Sequence, residues 1–243
     1  IKKIFWRGKN FKTETSLVEK FLYPSGGAGQ MYEGLARKIE DQGGEIFFNR
    51  EVVKIKRTEN KISGLVVKNS IDGKEEEIKG DYFLSSMPVK DMFRSFEGEV
   101  PRDVFEVADN LIYRDYIIIA LLLKKMAVKD GILPDNWLYI QESEIKMGRL
   151  DIFNNFSSEL LGDKKNIWLG AEYFATKGDE LWLKTDEELK DLAVSELIKM
   201  NLAGEEDLID FRVLKVERAY PAYFGAYRDF GKIKSWIGGF PNL

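Results

Sequence analysis

The sequence predicts an α+β fold, a mostly antiparallel sheet with helices packed on it. Three stretches carry that prediction. Residues 113–124 form a long strand-forming run, apolar throughout 117–123. The segments 137–141, 149–153 and 166–174 follow it as shorter β-rich pieces in meander order, which suits antiparallel pairing. Residues 21–88 join a glycine turn, a helix and several short strands.

In chain order, residues 1–20 are basic and amphipathic, with Ile4, Phe5 and Trp6, then Phe11 and Leu17. Their cations suit a solvated face; Glu14 and Glu19 interrupt any polybasic lipid contact. The turn Tyr23-Pro24-Ser25-Gly26-Gly27-Ala28-Gly29-Gln30 leads into a helix with Met31, Leu35 and Ile39 on one face, closed by Gly43-Gly44. These glycines suit a tight turn, and they also suit close approach of a ligand to free N–H groups at a helix start. Strands are expected at 45–50, 52–57, 61–68, 75–78 and 81–84, with turn chemistry at 69–73. Pro88 ends the last of these and opens a helix at 89–96, and Pro101 opens another running to about Asn110. The run at 113–124 lacks alternation, so it is expected to be a central strand covered on both faces. A helical turn is expected at 179–183. Helix 185–201 has Thr185 and Glu188 at capping-box spacing, and Leu189, Leu192, Ala193, Leu197 and Ile198 make its core stripe. A last strand at 208–217 gives way to a helix at 227–236.

Composition narrows the chemistry. With 44% hydrophobic and 32% charged residues in 243, the chain is long enough for one large domain or two smaller ones. A net charge of -4 gives no basis for nucleic acid as a partner. The longest apolar run is about half the roughly 20 residues of a membrane span, so no span is expected. With no cysteine and no histidine, thiolate nucleophiles and Ser-His-Asp arrangements are excluded, and no metal site is expected. A reducing, cytoplasmic location is expected. Ile1 stands in place of a Met and the sequence closes on Phe240-Pro241-Asn242-Leu243, so a piece of a longer protein is expected.

The order of glycine turn, helix, strands and the stop at Ser85-Ser86-Met87-Pro88 resembles the flavin-dependent amine oxidase superfamily, with its protoporphyrinogen oxidases, phytoene desaturases and sequences related to UDP-galactopyranose mutase. The resemblance implies an α/β remnant of an FAD-binding domain beside a mostly antiparallel substrate domain. Residues 1–20 match the end of a first substrate-domain section and 21–88 the middle FAD-domain section. Residues 89–219 match the substrate-binding domain, and 220–243 the approach to the last FAD section. Carried over, Val52 meets the flavin adenine through its backbone, and Ser85, Ser86, Met87 and Pro88 pass near the dinucleotide. Gly27, Gly29 and Gln30 lie near the flavin ring and substrate, and Tyr220, Pro221 and Tyr223 face it from the substrate side. Each of these residues also suits an ordinary strand or aromatic core. No catalytic residue is singled out.

The implied activity is hydride transfer from a carbon of a small-molecule substrate to flavin N5. The alternatives are a mutase acting on a nucleotide sugar, for which Arg149, Arg212, Arg218 and Arg228 are the available diphosphate partners, and a non-catalytic binding or interaction module. The family's strand–GxGxxG–helix unit does not occur in this sequence. The parent protein is therefore expected to hold FAD and this piece to bind it weakly or not at all. A homodimer through an exposed sheet edge is expected as well.

Overall fold

The computed structural model describes residues 21–162 and 165–243. The reading of residues 1–20 lies outside these. Two sheets organise the described chain. The smaller has the order β1-β2-β3, from Arg50–Thr58 (β1), Lys61–Asn69 (β2) and Glu75–Ile78 (β3), all antiparallel. The larger sheet is built from Tyr113–Leu123 (β4), Trp137–Tyr139 (β5), Arg149–Ile152 (β6), Ile167–Ala175 (β7) and Leu208–Pro221 (β8). Its order is β5-β6-β7-β4-β8, again antiparallel throughout.

The apolar run of β4 sits between β7 and β8, as a central strand should. Its two faces are not equally covered. Ile117, Ile119, Leu121 and Leu123 are buried against helix Asp186–Lys199 (α4 in chain order), while Tyr116, Ile118, Ala120 and Leu122 are half-buried on the other face. α4 forms where the capping box predicts it: Glu188 N–H donates to Thr185 Oγ1 and Thr185 N–H to Glu188 Oε2. From α4, Glu196 drops into the core and accepts from the Tyr173 hydroxyl and from the backbone of Lys146 and Met147. That fully paired carboxylate pins the loop between β5 and β6.

A second core lies between the small sheet and three helices: Val89–Ser95 (α2), Arg102–Asp109 (α3) and Phe230–Ile237 (α5). Phe93, Phe96, Trp236 and Phe240 pack their rings together there. Near the chain's end, Asn242 takes over where β3 stops. Its side-chain amide exchanges two hydrogen bonds with the backbone of Ile62, at 3.0 and 2.9 Å, as a paired strand would.

The first helix, Ala28–Asp41 (α1), buries none of its residues. Met31 and Leu35 are 55% and 54% exposed, so its apolar stripe has no cover among the described residues. Two strands expected from composition do not form. Residues 45–49 and 81–84 are irregular, with Phe47, Phe48, Tyr82 and Leu84 exposed. A strand needs a ladder of hydrogen bonds to a neighbour, and neither segment has one here. Isolated bonds tie Asn49, whose carbonyl accepts Ser70 N–H, Asp81, whose carbonyl accepts Asn242 Nδ2 at 3.2 Å, and Phe83, whose N–H donates to Asn242 O at 2.8 Å. The last strand runs on to Pro221 rather than stopping at Glu217, because a bulge re-pairs Tyr220 with Arg114. The helix expected at 227–236 opens as a 3₁₀ turn, Gly225–Asp229, before α5.

Candidate functional site

Pro88 sets the geometry of the site. It stands at the N-terminus of α2, with backbone φ of -54° and ψ of 133°, and sends the preceding residues along the edge of the second core. Met87, just before it, borders two cavities. One, of about 610 Å³, is lined by Val52 and Val53 of β1, by Arg50 and Glu51, and by Asp91, Arg94 and Ser95 of α2. The other, of about 310 Å³, is almost wholly apolar, with Pro88, Ile112, Tyr113, Tyr223, Tyr227 and Phe230 among its walls. The structure thus brings Val52, Met87, Pro88 and Tyr223 to one region. Ser85 and Ser86 are exposed beside it.

Tyr220 lies elsewhere, on the open face of the large sheet. Its ring is 6.2 Å from that of Tyr116 and 6.1 Å from that of Phe174. The glycine turn reaches the same face from the opposite edge. Gly27 takes φ of 87°, the left-handed region that suits glycine, and is buried against Leu160. Ser157 Oγ donates to Ser25 O at 2.6 Å and Tyr23 packs on Phe156, so the turn is fastened to the sheet next to Trp137. Gln30 folds back and accepts the Gly26 N–H through Oε1 at 3.0 Å. Around Gly29 a Cβ would meet nothing within 4 Å. From β5 to β8 is four strand spacings, about 19 Å, so the glycine turn and Tyr220 flank a broad face rather than meeting.

Between them sits a polar group that sequence reasoning missed. Asp151 of β6 and Glu172 of β7 are buried on this face, and Arg149 lies against both. Burial and contact with Glu172 raise the pKa of the Tyr116 hydroxyl. The available signal was an acid set among apolar residues in each of two strand segments, Asp151 in 149–153 and Glu172 in 166–174.

The arginines do not converge. Arg149 is held by Glu172, Arg212 by Asp210, and Arg218 by Asp91. No group of three or more metal-ligating side chains occurs among the described residues, and no described helix is long and apolar enough to cross a membrane.

The sequence profile of the flavin containing amine oxidoreductases matches residues 4–229. The chain belongs to that family. Among solved structures, this amine oxidoreductase-family chain is similar to reduced UDP-galactopyranose mutase, with a TM-score of 0.71 at 18% identity, covering 88% of this chain and 46% of that one. It is similar to putrescine oxidase bound to putrescine, with a TM-score of 0.58 at 18% identity over 85% of this chain and 44% of the other. An oxidoreductase from Methanosarcina mazei gives a TM-score of 0.58 at 16% identity, over 84% and 47% of the two chains. At these identities the likeness is one of fold, and the family chain spans under half the length of each of the three. No curated protein sequence matches it.

Proposed function

We propose that this chain is the central part of an FAD-dependent oxidoreductase of the amine oxidase type, acting on a small molecule in the cytoplasm. Residues 21–88 are its middle FAD-domain section, 89–219 its substrate domain, and 220–243 the approach to its last FAD section. The observation that carries the reading is the position of Met87, shared by one cavity with Val52 and another with Tyr223. Adenine-side and ring-side residues would then meet at the turn that opens α2.

The residues fit part of such a cofactor. Val52, Ser85, Ser86, Met87 and Pro88 would line it, offering backbone and small side chains to a flat group. Gly27, Gly29, Gln30, Tyr220 and Tyr223 would border the substrate, the tyrosines giving flat apolar contact with a polar tip. The flavin, when bound, supplies the redox chemistry as hydride acceptor at N5. A pyrophosphate cradle of the GxGxxG kind is absent from the 243 residues. The chain alone therefore holds FAD weakly or not at all.

Two measurements test this. The product of the complete gene should be yellow, with a flavin spectrum, and a colourless one overturns the reading. FAD titrated into the 243-residue chain should quench weakly; sub-micromolar affinity would contradict the partial fit. A nucleotide-sugar mutase is the less favoured reading, since Arg149, Arg212 and Arg218 are each spent on a carboxylate.

A further inference from the structure

The polar group on the open sheet face has more acid than base. Asp151 is 5% exposed and Glu172 7%. Arg149 Nη2 lies 2.5 Å from Glu172 Oε1, and its Nε 3.4 Å from Asp151 Oδ1. The neighbouring strands add neutral groups: Tyr116 of β4 faces Glu172, and Tyr139 of β5 faces Arg149. Tyr220 of β8 stands behind Tyr116.

Strand register explains why the two acids meet. Arg149 pairs with Glu172, and Asp151 with Gly170. A glycine opposite Asp151 leaves no side chain between that carboxyl and its diagonal neighbour, Glu172, whose carboxyl helps to raise its pKa. Any Cβ at Gly170 would come within 2.8 Å of the Phe153 ring. Two ionised carboxylates facing one guanidinium would bury an uncompensated negative charge, which a site this dry disfavours.

We propose that Asp151 and Glu172 hold one proton between them and serve this face as its acid–base group, toward a small molecule that presents a hydroxyl or amine on an apolar body. Burial first, then the neighbouring Glu172 carboxyl, pushes the Asp151 carboxyl up to about 8, where it can give or take a proton near neutral pH. Burial pulls the Arg149 pKa down, but Glu172 and Asp151 raise it further, so the guanidinium keeps its charge. Its Nε is buried without a hydrogen bond, and no other side-chain nitrogen or oxygen among the described residues is in that state. Trp137, Phe174 and Tyr220 supply the apolar surroundings. The step is proton transfer alone. The ligand O–H or N–H bond breaks, its electron pair stays on the ligand, and the proton joins the Asp151 carboxylate of the fully ionised pair; in the reverse direction Asp151 gives that proton to the ligand.

The proposal rests on the reading of this face as the substrate side, yet its test needs no flavin. Carbon-13 NMR of the 243-residue chain, labelled at Asp and Glu carboxyls, is followed across neutral pH. One Asp signal should titrate near 8 and vanish in Asp151→Asn. In Glu172→Gln the same signal should move toward the ordinary carboxylate range. If all carboxyls titrate in that range in the wild type, or the midpoint is unchanged in Glu172→Gln, proton sharing is overturned. Should Asp151→Asn fail to fold, the wild-type and Glu172→Gln curves still decide. Benzylamine and benzyl alcohol serve as probes, and at least one should displace the midpoint by about half a pH unit or more. A midpoint unmoved by both overturns the ligand-facing role. A colourless full-length protein would sink the cofactor reading and leave these curves as they are.

Discussion

Asp115 Oδ1 accepts the backbone N–H of Arg218 at 2.7 Å, and through that bond the start of β4 fixes the end of β8. The other oxygen, Oδ2, accepts Lys177 N–H at 2.5 Å. Arg218 has φ of 57°, unusual for a residue with a side chain, and it makes the bulge that re-pairs Tyr220 with Arg114. One buried carboxylate thus sets where Tyr220 lies. Removing it in Asp115→Ala leaves two N–H groups unpaired and should cost about 1–3 kcal/mol for each that stays dry. Arg218→Gly relieves the backbone but loses the contact to Asp91. Chemical denaturation should therefore show a large loss for Asp115→Ala and a small change for Arg218→Gly. Equal losses would mean the bulge does not depend on Asp115.

Gly27→Ala should free the glycine turn. An L side chain at φ of 87° is strained by roughly 1–2 kcal/mol. The new Cβ would also stand 2.7 Å from Leu160 Cδ2, so the side chain of Leu160 must move. Amide hydrogen exchange at residues 26–30 should quicken while β4 and β7 stay protected. Unchanged exchange in the turn would show that it is held by Ser157 and Phe156 alone.

Stability should fall as pH rises from acid to mildly basic. Asp151 keeps its proton to about 8 when folded, against a reference of 3.8, so the native chain binds the extra proton between those values. Where the native state binds more protons than the unfolded one, raising pH favours unfolding. The thermal midpoint should decline across that window and level off above it. Asp151→Asn should flatten this part of the profile. A wild-type profile already flat there would argue against a protonated Asp151.

Association should run through the apolar residues left exposed between 31 and 84. Phe47, Phe48, Tyr82 and Leu84 are exposed, Leu84 by 96%, and the face of α1 adds Met31 and Leu35. Patches of this kind mark interaction surfaces. β3 is a poor alternative, because Glu75, Glu76 and Glu77 line that edge and would repel a second copy. Light scattering should give a dimeric mass, falling to the monomer in Phe48→Ser/Leu84→Ser. A monomeric wild type removes the homodimer.

Elements whose signals are local were legible in the sequence. Thr185 and Glu188 lie three residues apart and form the cap by themselves. The apolar run of β4 and the turn between β2 and β3 are local in the same sense. Segments 45–49 and 81–84 have strand composition, but pairing requires a neighbour that composition does not supply. The Asp151–Glu172–Arg149 group was hidden for the same reason in reverse. It exists only once β6 and β7 pair in one register, and a slip of β6 by one residue would send Arg149 and Asp151 to the other face, away from Glu172. Val52 and Met87 were placed by likeness to a family; their shared cavity follows from how β1 and α2 pack, which no short window of sequence contains.

Met87 is a partition wall between two chambers. A thioether side chain has three rotatable bonds and yields easily, so room gained on the Val52 side is taken from the Tyr223 side. Whatever fills the first chamber therefore resizes the second, without any hinge or moving domain.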